Sequence, residues 1–456
     1  MRKYFKKLIK PGLFAITACL LYSCDRYLEA KPDKKMAEPI SLDDCDELLD
    51  NDNEMNTCFP AVGEAAADDY YLSLVNWEAI TINEDRLNYH WDAGFTAQLN
   101  QWQLPYKAVM LANQVLQTLS KINRSTDTER YDRIRGSALF FRGYAFFYIA
   151  QVFAAAYDIG QATSLPGIPL RLSPDIDYPS ERGTLENTYI QILNDLQEAA
   201  SLLPAISAVP TRPSRPAAYA ALARTYLNTG DYIKAGESAA RALQDKASLL
   251  DYSQLDSNST APFVKFNKEV IFQASTGGNT ALETSRACMD SILYESYDNH
   301  DLRKHLFFSR NGDGSHAFKG KYDAQINASP FSGIAIDELY LIRAESAARQ
   351  GEIGPALEDL NTLLKNRWDK GHFIPLTAMD EIDALELVLR ERRKELVLRN
   401  LRWTDLRRLN QQPRFAKTLT RILAGQRYVL PPNDTRYTLL IPQEVILNST
   451  ITQNPR

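Results

Sequence analysis

Residues 219–243 constrain this chain more than any other stretch, because they read as a helix, a tight turn and a second helix folded back on the first. Tyr219, Leu222, Ala223 and Tyr226 fall at i, i+3, i+4 and i+7, one face of a 3.6-residue helix. Gly230 breaks the run, and after Asp231 the positions Ala235, Ala239, Ala242 and Leu243 return the same spacing. Small residues at 235 and 239 let two helices approach closely, while Tyr219 and Tyr226 fill the space beside them. The unit then recurs. Tyr340, Ala344, Ala347, Gly351, Ala356, Leu360, Leu363 and Leu364 repeat it at a constant offset of 121 residues, whether taken as 340 − 219, 351 − 230 or 356 − 235. Gly351-Glu352 also copies the small-acidic turn Gly230-Asp231.

This is the tetratricopeptide pattern, whose unit is about 34 residues long. One such hairpin cannot bury its own apolar face, so stacked neighbours are required. The expected fold is therefore all-α, with about four helical pairs, two of them degraded or interrupted. Residues 129–154 form one long helix that is apolar on much of its circumference, with Ala138, Phe141, Ala145, Tyr148 and Val152 on one face and Leu139, Phe146 and Phe153 on the adjoining one. Its partner starts after Thr184, a good N-cap, and runs through Tyr189, Leu193, Leu196 and Ala200 to Pro204. A Pro/Gly-rich loop separates the two. A last helical block begins near Glu381.

The N-terminus reads as an address. Arg2, Lys3, Lys6, Lys7 and Lys10 precede a short apolar run, Leu13 to Leu21, too short to span a bilayer but suited to a secretory signal. The run ends at Ser23-Cys24, where a small residue precedes a cysteine as in a bacterial lipobox, although Tyr22 departs from the usual residue there. Residues 1–23 are expected to be removed, Cys24 lipidated, and 24–40 left as a tether before one domain at 41–456. Removing 1–23 takes away five basic residues, so 52 basic against 57 acidic becomes 47 against 57, a net charge of −10. A chain that acidic is a poor partner for nucleic acid.

Cys45, Cys58 and Cys288 remain, an odd number with no CxxC; Cys45 and Cys58 are either the local disulfide option or free buried thiols. Asp50 to Glu54 is acidic but lacks the glycine and distal glutamate of a calcium loop, and reads as a solvated turn. Glu391 and Glu395 share a helix face, and their spacing to Lys394 and Arg399 predicts ion pairs rather than an acid–base couple. His90, His300, His305, His316 and His372 are scattered, with no HExxH, and no GxSxG or phosphate-binding glycine loop occurs. No cofactor or metal is expected, and no enzymatic activity; a glycosidase working through two carboxylates is the enzyme alternative.

Two stretches escape the helical pattern. Residues 76–104 crowd Trp77, Tyr89, Trp91 and Trp102 among Asn83, Glu84, Asp85, Arg86 and Asn88. Trp102 falls on a helical stripe with Tyr106 and Val109 and is expected in the core, whereas Trp77 and Trp91 lie off it. Residues 253–333 interrupt the repeats, which are carried mainly by 129–252 and 334–412, with an Asn/Ser/Asp/Gly-rich insertion bearing Tyr294, Tyr297, Phe307, Phe308, Phe318 and Tyr322. A sugar ring has an apolar C–H face and a polar rim, so a flat exposed ring beside amides and charges suits it. Trp77, Trp91, Asn83 and Arg86, with Tyr294 in addition, are the candidate ligand-binding residues; buried packing is the competing role for each ring.

Several motifs resemble the SusD/RagB family of nutrient-uptake outer-membrane lipoproteins. They are Ser23-Cys24-Asp25, Arg142-Gly143-Tyr144-Ala145-Phe146-Phe147-Tyr148, Arg215-Pro216 with Ala220 to Arg224, and Asp301-Leu302-Arg303. Glu338-Leu339-Tyr340-Leu341-Ile342-Arg343-Ala344-Glu345, Glu391 to Leu396, Arg402-Trp403 with Asp405 to Arg408, and the ending Ile441-Pro442-Gln443-Glu444 follow in the same order. The resemblance implies a tetratricopeptide-type scaffold and an irregular, loop-rich ligand-binding half. It further implies a surface-exposed, lipid-anchored protein on the outer membrane that passes a glycan, or sometimes a peptide, to a SusC-like TonB-dependent transporter. Its motifs are architectural and assign no ligand residues. A tetratricopeptide protein-interaction scaffold is the third alternative.

Overall fold

Ser41 caps the first helix, α1 (Leu42–Leu49), by accepting from the Asp44 N–H while Asp44 accepts from the Ser41 N–H, a reciprocal capping box. The computed structural model describes residues 39–175, 177, 181–325 and 327–456; the expected leader, Cys24 and the expected tether up to residue 38 lie outside them. Strand β1 (Tyr70–Tyr71) and the short helices α2 (Leu74–Glu78) and α3 (Asn83–Tyr89) precede two long helices, α4 (Asn100–Leu119) and α5 (Thr128–Phe153). From Gly136 to Phe153 every residue of α5 is buried, which is why its apolar residues occupy all sides instead of one stripe. Strands β2 (Pro166–Pro169) and β3 (Arg182–Thr184) pair across the loop that follows, and Thr184 caps α6 (Leu185–Leu202) by accepting from the Asn187 N–H.

The repeated hairpin follows as α7 (Arg215–Thr229) and α8 (Tyr232–Asp245). After the insertion, with β4 (Val270–Phe272), β5 (Cys288–Met289), β6 (Phe308–Arg310), β7 (His316–Phe318) and β8 (Ile334–Ala335), it returns as α9 (Ile336–Arg349) and α10 (Ile353–Lys365). Both helices of the second copy start 121 residues after their counterparts, 336 − 215 and 353 − 232. Gly230 and Gly351 take left-handed backbone, φ 80° and 79°, a conformation in which a side chain would be strained. Tyr219 and Tyr340 are half-buried against the core, each beneath a guanidinium, Arg241 at 5.5 Å and Arg343 at 5.6 Å. The helices α4 to α10 pack in sequence, α11 (Glu381–Glu395) lies on α9, and α12 (Arg402–Leu409) and the hairpin β9 (Leu419–Leu423)–β10 (Gln426–Leu430) complete the chain. The body is thus helical, with five small two-stranded sheets among the described residues. The tail lies against it, the Leu439 N–H donating to the Val152 carbonyl at 2.9 Å.

Buried ion pairs tie these layers together. Arg224 on α7 is 3% exposed and donates to both carboxylate oxygens of Glu338 on α9, to the hydroxyls of Tyr144 and Tyr148 on α5, and to the Gly333 carbonyl. Arg142 on α5 holds Asp195 on α6 through two bonds of 2.8 and 2.6 Å. Arg303 in the insertion donates to Asp301, Glu391 and Glu395, and Arg367 after α10 donates to Glu395 and Glu269. Arg408 binds Glu345 and Asp405, and Asp405 also accepts from Arg392. The two arginines beside Asp405 hold its carboxyl down to about 2 against the opposing effect of burial.

Glu391 accepts from Lys394 at 3.2 Å as its spacing predicts, but Glu395 does not meet Arg399. Helix α11 ends at Glu395, and the left-handed residues Leu398 and Asn400 turn Arg399 toward Asp337, 3.1 Å away, leaving Glu395 to Arg303 and Arg367. Cys45, Cys58 and Cys288 are buried free thiols, so the local disulfide does not form; burial pushes Cys45 up to about 11 and Cys58 to about 12. Asp50 and Glu54 are engaged by Arg212 and Lys107, and the expected solvated turn is instead a one-turn helix over Asp52–Met55.

Arg224→Met strands the Glu338 carboxylate and should cost ~3–5 kcal/mol in urea unfolding, whereas Arg224→Met with Glu338→Leu should recover most of that loss. Gly333→Ala is expected to cost on the order of 3 kcal/mol in the same measurement, since the new Cβ would lie 2.1 Å from the Phe272 carbonyl oxygen at the β4–β8 pairing.

Candidate functional site

The pairing of β1 with β5, Tyr70 opposite Met289 and Tyr71 opposite Cys288, joins the N-terminal irregular region to the insertion. Asn76 strengthens the join by donating to the Arg286 carbonyl at 3.0 Å. Helix α2, capped by Ser73, presents Trp77 beside this seam, and α3 presents Asn83 and Arg86. The Trp77 ring is half-buried. Its Nε1–H donates to the Arg86 carbonyl at 3.3 Å, and the Arg86 guanidinium stands 5.8 Å from the ring centroid while donating to Asn83 Oδ1 at 3.4 Å. His90 lies 5.9 Å from the same ring and 4.6 Å from Tyr428, whose ring is tilted 32° to it. Burial lowers the His90 pKa. Trp77, Asn83 and Arg86 thus come together around one ring edge, with Asn83 exposed.

Trp91 does not join them. It is 5% exposed, its Nε1–H donates to the Ala66 carbonyl at 2.9 Å, and the Arg421 guanidinium covers its ring at 4.6 Å. It packs with Trp403, Leu406 and Tyr437, so it is a core residue and offers no stacking face. Sequence spacing misplaces it because its backbone is left-handed, φ 57°, which turns the chain inward directly after α3. Tyr294 is half-buried; one face is already stacked on His316, 3.6 Å away and 16° from parallel, and the Lys304 amino group is 5.1 Å from the ring. Trp102 lies in the core, 7% exposed.

A second feature has no sequence signal. A cleft of about 500 Å³ opens between the segment after α1 and the insertion, lined by Asn56, Thr57, Gln273, Ser275, Asp323 and Asn327 among others. Asn56 is held by its own amide, which donates to the carbonyls of Thr211 and Gln273 at 3.0 and 2.8 Å. Asn56 Oδ1 and Gln273 Oε1 are buried and have no partner among the described residues. Such acceptors favour a ligand that brings hydroxyl or N–H donors. At one end Lys321 donates to the Asn327 carbonyl, and burial pulls its amino group down to about 8; burial also raises the Asp323 carboxyl. Beyond the cleft, Asn279 and Thr280 of the insertion are fixed to α3 by the buried Asp85, which accepts from both side chains at 2.9 and 2.5 Å. Asn56, Gln273 and Asn327 are too far apart in sequence for any motif to have joined them.

On the hairpin side, a groove of about 700 Å³ runs between α8, α9 and α10, and Arg343 crosses it to Asp359 with bonds of 2.7 and 2.6 Å. Glu391 and Glu395, whose spacing raises the two-carboxylate alternative, are 4% and 2% exposed and saturated by cations, so neither can reach a substrate. No described helix is long and apolar enough to cross a membrane.

Residues 26–227 match the SusD-like family model described as starch-binding associating with outer membrane. A SusD-like protein, P2, of Formosa agariphila is 27% identical over 186 residues, which is 39% of this chain and 35% of that protein. The match thus spans about a third of that relative's length. Among solved structures, a SusD superfamily protein of Bacteroides thetaiotaomicron aligns with a TM-score of 0.74 at 21% identity, covering 91% of this chain and 100% of that one. A SusD-like carbohydrate binding protein of Bacteroides vulgatus aligns at 0.68 and 19% identity, covering 90% and 97%. At these identities the structures speak for the fold, and the family match is confined to residues 26–227. The chain thus matches the SusD-like family model over residues 26–227 and shares the fold of SusD superfamily structures over about nine-tenths of its length.

Proposed function

We propose that this protein is a surface-exposed outer-membrane lipoprotein, anchored through Cys24, that captures an oligosaccharide or polysaccharide and delivers it to a SusC-like TonB-dependent transporter. Trp77 with Asn83 and Arg86 forms the primary contact, and Tyr294 is a secondary one. The observation that carries the reading is the half-buried Trp77 ring with a guanidinium and an exposed amide at its edge. A pyranose lays its C–H face on such a ring while its rim hydroxyls reach the Asn83 amide and the Arg86 guanidinium, which at 5.8 Å stands near the outer limit of a cation–π contact and can turn toward them. The amide-lined cleft supplies acceptors of the same chemistry. The family description and the carbohydrate-binding relative agree with a glycan ligand. On this reading the hairpin side is the docking surface toward the transporter, and the chain binds without cleaving.

Titration of the purified chain with a panel of glycans and peptides, followed by calorimetry, tests this. Trp77→Ala should weaken glycan binding by about 1–3 kcal/mol while leaving the melting temperature within a few degrees. Unaltered binding of every glycan would remove Trp77 from the site, binding of peptides alone would replace the ligand class, and release of reducing sugar would replace the binder with a hydrolase.

A further inference from the structure

His300 and His372 lie 72 residues apart in sequence, yet their rings are stacked with centroids 3.7 Å apart and planes 6° from parallel. Asp369 completes the group, its Oδ2 standing 3.4 Å from His300 Nδ1. One donor atom from each of the three residues falls within 4.8 Å of the other two, and this is the one such His/Asp group found among the described residues. We propose that His300, Asp369 and His372 bind one divalent transition-metal ion of the Zn²⁺ type.

The frame beneath the three side chains is rigid. The Asp369 N–H donates to the His300 carbonyl at 2.9 Å, and the His372 N–H donates to the Asp369 carbonyl at 3.1 Å. One residue further in, Asp301 and Trp368 form an antiparallel bridge, and the Leu302 N–H donates to the Arg367 carbonyl at 2.9 Å. Arg303 and Arg367, both fully buried, then lock the two segments to the shared acid Glu395. Gly371, at φ 89°, makes the tight turn that brings His372 back over Asp369. The backbone is therefore fixed by the core while the donor groups stand at the solvent end. A site of this kind holds its ligands on pre-positioned backbone.

Two imidazoles and one carboxylate are a borderline donor set, suited to Zn²⁺ and its neighbours and unsuited to Ca²⁺ or Mg²⁺, which take oxygen ligands. Tetrahedral zinc needs donor atoms about 3.3 Å apart, given bonds of about 2.0 Å. His300 and Asp369 are 46% and 45% exposed and His372 is exposed as well, so side-chain rotation can close the remaining gap. Lys370, the cation inside the loop, is drawn away to Asp251 at 3.4 Å. Three protein ligands leave a fourth position to water. The bound ion would clamp the insertion, through His300, to the segment that follows α10, and it owes nothing to the proposed glycan contacts.

The test is calorimetric titration of the full chain, purified in detergent, with Zn²⁺, accompanied by thermal melts. One ion per chain and a rise in melting temperature are expected with Zn²⁺, and no rise with Ca²⁺ or Mg²⁺. His300→Gln and His372→Gln should each weaken Zn²⁺ binding at least roughly tenfold while leaving the metal-free melting temperature unchanged. Substitution with Co²⁺ should give the intense visible bands of a four-coordinate site in the unaltered chain and lose them in both variants. Zn²⁺ affinity unchanged in the doubly substituted chain, an equal response to Ca²⁺, or no stoichiometric uptake would overturn the proposal.

Discussion

The contact on which the rest of the structure depends is Arg224 with Glu338. It joins the first helix of one hairpin to the first helix of the next, and the same guanidinium collects two tyrosines from α5 and the carbonyl of Gly333. A guanidinium taken out of water is costly unless its donors are met, so five simultaneous bonds are what make this position tolerable. Meeting them fixes three helices and the end of β8 relative to one another with little freedom left. Arg142 with Asp195, Arg408 with Glu345, and the group around Glu395 extend the same principle across the body. Hydrophobic burial supplies the bulk of the stability. The charged pairs select one arrangement of helices whose apolar faces could otherwise slide.

This accounts for which residues the sequence displays as motifs. Arg142 and Tyr144, Arg224, Asp301 and Arg303, Glu338 and Glu345, Glu391 and Glu395, and Asp405 and Arg408 are members of the buried charge lattice or its hydrogen-bond partners. The hairpins were legible because a turn glycine and a helical face repeat locally, and the same local logic identified the Thr184 cap and the long α5. What sequence spacing could not supply were the partners that arrive from distant segments. Glu395 has Arg399 four residues away, yet its arginines arrive from positions 303 and 367.

The irregular half was less legible, for a related reason. Whether a tryptophan packs inward or stands at a surface depends on the direction the backbone takes, and Trp77 and Trp91 sit in similarly polar company. One left-handed residue separates their fates. The cleft around Asn56 and Gln273 is assembled from segments far apart in the chain, and its chemistry is that of ordinary amides and hydroxyls, so no spacing announces it. The two features differ in kind. Trp77 offers a flat apolar surface with polar edges, whereas the cleft offers acceptors without a ring.

The buried acid Glu395 also bears on how the chain comes together over time. Arg303 and Arg367 are shut away from water, and the carboxylates that neutralise them belong in part to α11, near the C-terminal end. Without that helix, only Asp301 and Glu269 would stand against the two guanidinium groups, and part of their donor capacity would be enclosed unmet. Docking of α11 thereby completes the neutralisation of both buried arginines and ties the middle of the chain to its C-terminal part.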